Sequence, residues 1–412
     1  MTKQLKLFNP SEFITIYRQY LIKKYGKKWD RTYLPINILD SLCEYYMLVS
    51  SRSDGKSYSV LEMMLYLKWN YGYSGGIIRR WDDDLKPKTA TEIIKNLIGL
   101  NEITYERTKG KWNNAVEEIT EGYWNTIRYI SRKFYFAKIV EGEDDIIDDS
   151  PIMYTFAVSQ EEHYKMTSYP DIKITLFDEF ITRKTYLDDE AVSYLNIIST
   201  IVRVRDDLIN FMCANTISLY CPYFKEMGIT KIKKMECGDI DTYEYCDENG
   251  IPVMHTRIEY IKSIDKKYKK SNKYFAFNNP KLKMITDGKW ELRMYPHLSM
   301  NDRYERKDVM YTYFINFDDE LLQCEIVFKY DETSKETRTF TFIHRKTTPL
   351  YLESNTIVFS PEFNTNIHYR RKITHPVDEL GKKILSYYQR DLIFYQDNEV
   401  GNIIENYLIF SR

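Results

Sequence analysis

The sequence predicts an α/β protein with a mainly parallel sheet built around a phosphate-binding loop, followed by a second, α+β domain. Three observations carry that expectation. A loop ending in Gly-Lys-Ser lies between an apolar run and a helical pattern, strands and helices alternate through the first half, and past Pro222 the chain turns polar and then strand-rich. The length, 412 residues, suits two or three domains.

From residue 9 to 43 the pattern is mostly helical, with Pro10 near the start and Pro35 opening the helix that leads to a buried strand at 46–49. Residues 57–69 carry Leu61, Met64 and Leu65 at helical spacing. Gly75-Gly76 introduces the short run Ile77-Ile78, which ends in Arg79-Arg80. A helix at 89–100, with Thr91 as its cap, sets Ile93, Ile94, Leu97 and Ile98 on one face. Strands at 134–140 and 152–158 flank the acidic stretch 141–149, read as a solvated hairpin loop. Then follow a strand at 172–177, a helix at 188–204 and a strand at 211–214. Residues 229–275 are polar and lysine-rich, with a turn signal at Glu248-Asn249-Gly250. Strand-like runs at 311–315, 321–330, 337–343 and 356–359 precede helices at 376–390 and 400–408. The expected division is a first domain over 1–224, a polar linker region over 225–300 and a second domain over 301–412.

Bulk properties exclude more than they select. Acidic and basic residues nearly cancel, 60 against 59, so net charge names no partner. No apolar run has the length of a membrane span, and the N-terminus, with Lys3 and Lys6, lacks a signal-peptide core, so a soluble cytoplasmic protein is expected. Cys43, Cys213, Cys221, Cys237, Cys246 and Cys324 form no C-x-x-C pair, which indicates neither a zinc site nor a disulfide framework.

The chemistry concentrates at three strand ends. The phosphate loop needs Gly, four residues, then Gly-Lys-Ser/Thr, and here Ser50 replaces the first glycine. Backbone N–H groups over Ser51, Arg52, Ser53, Asp54 and Gly55 would hold a triphosphate, Lys56 would reach the β/γ-phosphates, and Ser57 would ligate Mg²⁺. The apolar strand before Asp178-Glu179 sets two carboxylates at its C-terminal end; Asp178 suits support of the metal and Glu179 suits activation of water. A third strand ends in Asn215, whose amide can report the γ-phosphate. Arg203 and Arg205 lie two residues apart at a helix end. At most one can enter a given phosphate site, the other being structural, and a finger would require a neighbouring subunit.

These stretches together resemble the DNA-packaging (encapsidation) ATPases of small tailed phages, relatives of the large terminase subunits. The resemblance rests on Ser51 through Tyr58, Tyr169-Pro170 before Phe177-Asp178-Glu179-Phe180-Ile181, Arg203-x-Arg205, Asn215-x-x-Ser218, Pro222-Tyr223-Phe224, and the C-terminal stretches from Asp391 to Phe394 and Asn406 to Leu408. It implies an ASCE-type P-loop NTPase domain and an RNase H-like second domain. It also implies a homo-oligomeric ring, a pentamer in the family, that uses ATP and Mg²⁺ to drive double-stranded DNA through the portal of a procapsid in the host cytoplasm, with a packaging RNA as a further partner. Arg52 then matches the arginine of packaging loops, Lys165 a lysine acting between subunits, and Arg203 the finger. Ser50 and Ser53 depart from the glycines usual in the family.

The second domain resembles a vestigial nuclease, its acidic groups Asp318-Asp319-Glu320 and Asp331-Glu332 being read as solvated turns. An active endonuclease domain and a non-hydrolysing nucleic-acid scaffold remain the alternatives. Lys266, Lys267, Lys269 and Lys270, with Tyr268 and Tyr274 nearby, could follow a phosphate backbone or form a solvated loop. Arg370 and Arg371 form a second basic candidate.

Overall fold

The computed structural model describes residues 7–26, 36–51, 54–99, 110–182, 186–187, 189–217, 219, 221–262, 294–299, 303–317, 320–331 and 335–411. The chain divides into two compact units, 1–182 with 189–291, and 183–188 with 292–412. Arg52, Ser53, Ser218, Lys266, Lys267, Tyr268, Lys269, Lys270, Tyr274, Asp318, Asp319 and Glu332 lie outside the described residues.

The first unit contains α1 (Pro10–Tyr25), β1 (Tyr45–Ser50), α2 (Lys56–Tyr71), β2 (Ser74–Arg79), α3 (Pro87–Ile98), α4 (Ala115–Ile119), β3 (Thr126–Ile130), β4 (Lys133–Lys138), β5 (Ile146–Ile147), β6 (Met153–Ala157), β7 (Ile172–Asp178), α5 (Glu190–Val202), β8 (Ile209–Asn215), α6 (Pro222–Glu226), β9 (Ile240–Cys246) and β10 (Pro252–Tyr260). Helix α1 starts where Asn9 accepts a hydrogen bond from the Glu12 N–H at 3.0 Å and Pro10 presets the first turn. The strands form one sheet in the order β3-β4-β6-β2-β7-β8-β1-β10-β9, with β5 paired to β4. From β6 to β10 every pairing is parallel. All six residues of β1 are buried, as a central parallel strand covered on both faces requires. Gly75 lets α2 lie close on β2, since a Cβ there would stand 2.5 Å from Met64 Sδ. Below, Tyr46 stacks on Phe211 at 5.0 Å between ring centres.

Two expectations change here. The polar stretch after residue 225 is not a linker throughout: β9 and β10 form an antiparallel hairpin, and β10 lies parallel to β1, extending the first sheet. Burial beside β1 explains it, for Thr256, Ile258, Glu259 and Tyr260 are covered while the residues of β9 alternate toward water. The turn signal at Gly250 was the hairpin turn, with φ of 77°. Among the described residues of 36–43 only a single turn, Ile38–Asp40, is helical, and β3 is a strand without a predicted counterpart.

The second unit contains β11 (Val309–Phe317), β12 (Glu320–Asp331), β13 (Glu336–Arg345), β14 (Val358–Phe359), β15 (Tyr369–Arg370), α7 (Glu379–Gln389), β16 (Ile393–Tyr395) and α8 (Asn398–Phe410). Its sheet runs β15-β14-β11-β12-β13-β16. The long strands β11, β12 and β13 make an antiparallel meander, and β14, β15 and β16 join parallel to their neighbours. Helices α7 and α8 are capped by Asp378 and Asp397, which accept from Gly381 N at 2.7 Å and Val400 N at 2.8 Å. Inside lie Tyr313, Leu322, Cys324, Ile343, Ile384, Ile404 and Tyr407. Glu320 opens β12 rather than standing in a turn, and pairs with Arg345 at 3.4 Å. Among the described residues no helix is long and apolar enough to cross a membrane.

Candidate nucleotide-binding site

Because β1, β2, β7 and β8 run parallel, their C-terminal ends share one edge of the sheet, where open α/β folds hold ligands. Strand β1 ends at Ser50 and α2 begins at Lys56. Gly55 between them takes φ of 81°, a left-handed turn that disfavours a Cβ. The Ser59 N–H and hydroxyl both donate to the Gly55 carbonyl, at 2.9 and 2.8 Å, and Ser51 Oγ donates to Asp54 Oδ2 at 2.9 Å.

Lys56 is only 6% exposed. Its Nζ donates to Ser50 Oγ at 2.8 Å, to the Ser51 carbonyl at 3.0 Å and to Asn215 Oδ1 at 3.3 Å. Burial pushes its pKa down, and nearby carboxylates offset this only in part. A desolvated ammonium held by neutral oxygens is a strong receptor for an anion, so the residues present fit a polyphosphate. Ser50, which departs from the glycine of the motif, is fully buried and supplies one of those oxygens.

Ser57 Oγ donates to Asp178 Oδ1 at 2.5 Å, bringing a hydroxyl and a carboxylate together as a hard divalent cation requires. Asn215 is the register partner of Ser50. Lys56, Ser57, Asp178 and Asn215 are thereby brought together, with Glu179 following Asp178 at the end of β7.

Two residues of this site were not assigned from sequence. Arg79, at the end of β2, donates to Asp178 Oδ2 and to Glu179 Oε2, both at 2.9 Å. Asp178 is largely covered at 18% side-chain exposure, whereas Glu179 is 59% exposed. Arg80 turns the other way, with Nε on Glu190 Oε2 at 2.8 Å and its terminal nitrogens on the carbonyls of Glu179 at 3.1 Å and Phe180 at 2.8 Å. The available signal was two arginines closing a buried strand beside one that ends Asp-Glu.

Residues 115–236 match the model of the Podovirus DNA encapsidation protein (Gp16) family. Over that stretch the chain is similar to these encapsidation proteins. The DNA packaging protein of Bacillus phage phi29 is 29% identical over 89 residues, 21% of this chain and 27% of that protein. That of Bacillus phage B103 is 28% identical over 93 residues, 22% of this chain and 29% of the relative. The chain thus matches less than a third of the length of these curated relatives. A structure of the bacteriophage Phi-29 viral genome packaging motor assembly has a similar fold, with a TM-score of 0.52 at 16% identity, covering 93% of this chain and 100% of that one. The first unit is thus an α/β fold with a mainly parallel sheet. The family match includes Lys165, Asp178, Glu179, Arg203, Arg205 and Asn215, while the loop at 50–57 precedes it.

The remaining sequence-predicted residues form separate groups. Arg203 closes α5 with φ of 50° and ψ of −110°, and its Nη2 donates to the carbonyls of Lys165 at 3.3 Å and Thr167 at 2.9 Å. Lys165 is exposed and pairs with Glu162. Arg205 is held by Asp207 and by the carbonyls of Tyr169, Ile172 and Ile201, so it ties the end of α5 to β7. Both arginines lie past the last helical turn, which makes helical spacing irrelevant to their directions. In the second unit Arg370 forms a two-bond pair with Asp378 at 3.0 and 2.6 Å, and Arg371 Nε donates to the Pro361 carbonyl at 2.9 Å while remaining exposed. Arg370 is thereby engaged within its own unit.

Proposed function

We propose that this chain is an ATP-hydrolysing motor that translocates double-stranded viral DNA into a procapsid. The observation that carries the reading is the meeting of buried Lys56 and Ser57 with Asp178, Glu179 and Asn215 at one sheet end. Kinship to encapsidation proteins supplies the direction of the work.

Lys56 and the N–H groups at the start of α2 bind and orient the β- and γ-phosphates. Ser57 and Asp178 would hold Mg²⁺, and bound Mg²⁺-ATP supplies the labile phosphoanhydride and charge neutralisation. Glu179 accepts the proton of the attacking water, which requires it to leave Arg79. Asn215, already on Lys56, senses the γ-phosphate. Arg203, beside Lys165, acts on a neighbouring subunit's nucleotide in a ring, pentameric by resemblance, and Arg205 holds the frame. Strand β8 between β1 and β7 supports the ASCE-type assignment.

In the second unit, the order β13-β12-β11-β14-β15 with an antiparallel second strand supports an RNase H-like domain. Its central strand β11, VMYTYFINF, carries no carboxylate, which favours a domain without catalysis. The partners are double-stranded DNA, the portal of the procapsid and a packaging RNA, and the motor works in the host cytoplasm at the portal vertex. Lys266, Lys267, Lys269, Lys270 and Arg371 are its candidate phosphate contacts.

Phosphate release measured with and without double-stranded DNA and procapsids tests the reading. Stimulation by both is expected. ATP binding without turnover under every condition would overturn it in favour of a scaffold.

A further inference from the structure

Glu179 carries out its proposed role from a backbone conformation that side-chain-bearing residues avoid, with φ of 63°. Such a conformation persists only where its surroundings over-determine it. The N–H groups of Glu179 and Phe180 both point to the Cys213 carbonyl, at 2.8 and 3.3 Å. The carbonyls of the same two residues accept from the two terminal nitrogens of Arg80. The peptide that follows the carboxylate is therefore fixed from both sides.

What fixes Arg80 is buried deeper still. Its side chain is 7% exposed and that of Glu190 is fully covered. One oxygen of Glu190 accepts from Arg80 Nε, and the other accepts from the Tyr223 hydroxyl at 2.8 Å. The Tyr223 ring in turn packs edge-on against Phe177 and Phe180, at 5.5 and 5.9 Å between centres. A buried ion pair is a poor source of stability, because desolvation consumes most of its Coulomb gain. Its directional value is larger, since a planar guanidinium presents donors in a fixed fork. Here the fork ends on the main chain of Glu179, while the preceding residue, Arg79, holds the side chain of Glu179. Two consecutive arginines at the end of β2 thus control both parts of one residue.

We propose that Arg80, oriented by Glu190 and Tyr223, is a positioning residue that sets the direction in which the Glu179 carboxylate meets water; this rests on the reading of Glu179 as the base. Arg80→Lys keeps a cation opposite Glu190 but lacks the fork. In the full chain, kcat for ATP should fall about 10- to 100-fold, as for a reacting group misplaced by about 1 Å, with KM for ATP within about threefold of the parent. In a Glu179→Gln background the same substitution should cost less than about twofold more, because a residue acting only through Glu179 has nothing left to position.

Tyr223→Phe, which removes one hydrogen bond at constant ring volume, should reproduce the kcat-specific loss in weaker form, and it carries the test if Arg80→Lys does not fold. Parental kcat in the folded variants, or an equal loss in the Glu179→Gln background, would overturn the proposal. Parental turnover by Glu179→Gln itself would instead remove the base assignment, and this proposal with it.

Discussion

Replacing Lys56 by Met separates what the buried ammonium does for the fold from what it does for the ligand. In the ligand-free protein the substitution removes a desolvated charge and its bonds to Ser50, Ser51 and Asn215. Relief of the buried charge offsets part of the cost of stranding those three oxygens, so stability should fall by about 1–2 kcal/mol, or ~2–8 °C in Tm. Toward ATP the loss is one-sided. A charge-assisted bond to phosphate contributes about 1.5–3 kcal/mol, so the dissociation constant should rise ~10- to 150-fold.

At an ATP concentration about 100 times the parental constant, the parent gains ~2.7 kcal/mol from binding, a rise of roughly 5–11 °C. A variant weakened 100-fold then sits near half-saturation and gains ~0.4 kcal/mol, a rise of about 1 °C. Differential scanning fluorimetry over a Mg²⁺-ATP titration, with circular dichroism as the fold control, reads both quantities. A parental shift in the variant would refute the assignment of Lys56 to phosphate.

Glu179→Gln should keep the ATP-induced rise in Tm and slow turnover by about 10²–10⁴, and turnover at the parental rate would move the base elsewhere. Arg203→Ala should leave stability nearly unchanged and regain hydrolysis when mixed with Glu179→Gln subunits, while Arg205→Ala, which strands the carbonyls of Tyr169, Ile172 and Ile201, should lower stability by about 2 kcal/mol. The reverse ranking in thermal unfolding, or no complementation at any mixing ratio, would count against this division. In the second unit, His344 beside Glu325 holds that carboxyl down at about 2, and Glu325 in turn raises the pKa of His344. The Glu325 share of stability is present above its usual 4.5 and lost as pH falls toward 2; the His344 share is present below 6.5 and lost as pH rises through its raised value. His344→Gln should therefore abolish the decline on the alkaline side, and an unchanged pH profile of unfolding would contradict the pairing.

Strand β1, the loop and α2 were legible because local signals agree there: a wholly apolar run, then Gly-Lys-Ser, then helical spacing. Asp178 and Asn215 were legible for a related reason, as polar residues that terminate buried strands. The β9–β10 hairpin was not, because β10 is buried by β1, some 200 residues earlier, and nothing in its own polar sequence announces that neighbour. Arg79 and Arg80 were visible as residues but not as parts of the site, since their roles depend on β2 lying beside β7 rather than beside β1. Arg203 and Arg205 make different contacts, but helical spacing is not the reason, since both follow the end of α5.

The position of β1 in the sheet also orders events during synthesis. Its two neighbours, β8 and β10, both come later in the chain, so the strand has no partner when it leaves the ribosome. At about 5–20 residues per second, the ~200 residues to the end of β10 take roughly 10–40 s. Until β8 emerges, Tyr45 to Val49 is an apolar segment with both edges unpaired, and one edge stays open until β10 follows, the type of sequence that associates with other nascent chains. The same insertion makes truncation unforgiving. A fragment that stops before residue 252 exposes one edge of the strand that leads into the loop at 50–57, so an isolated first unit must retain the hairpin at 240–260 to keep β1 enclosed.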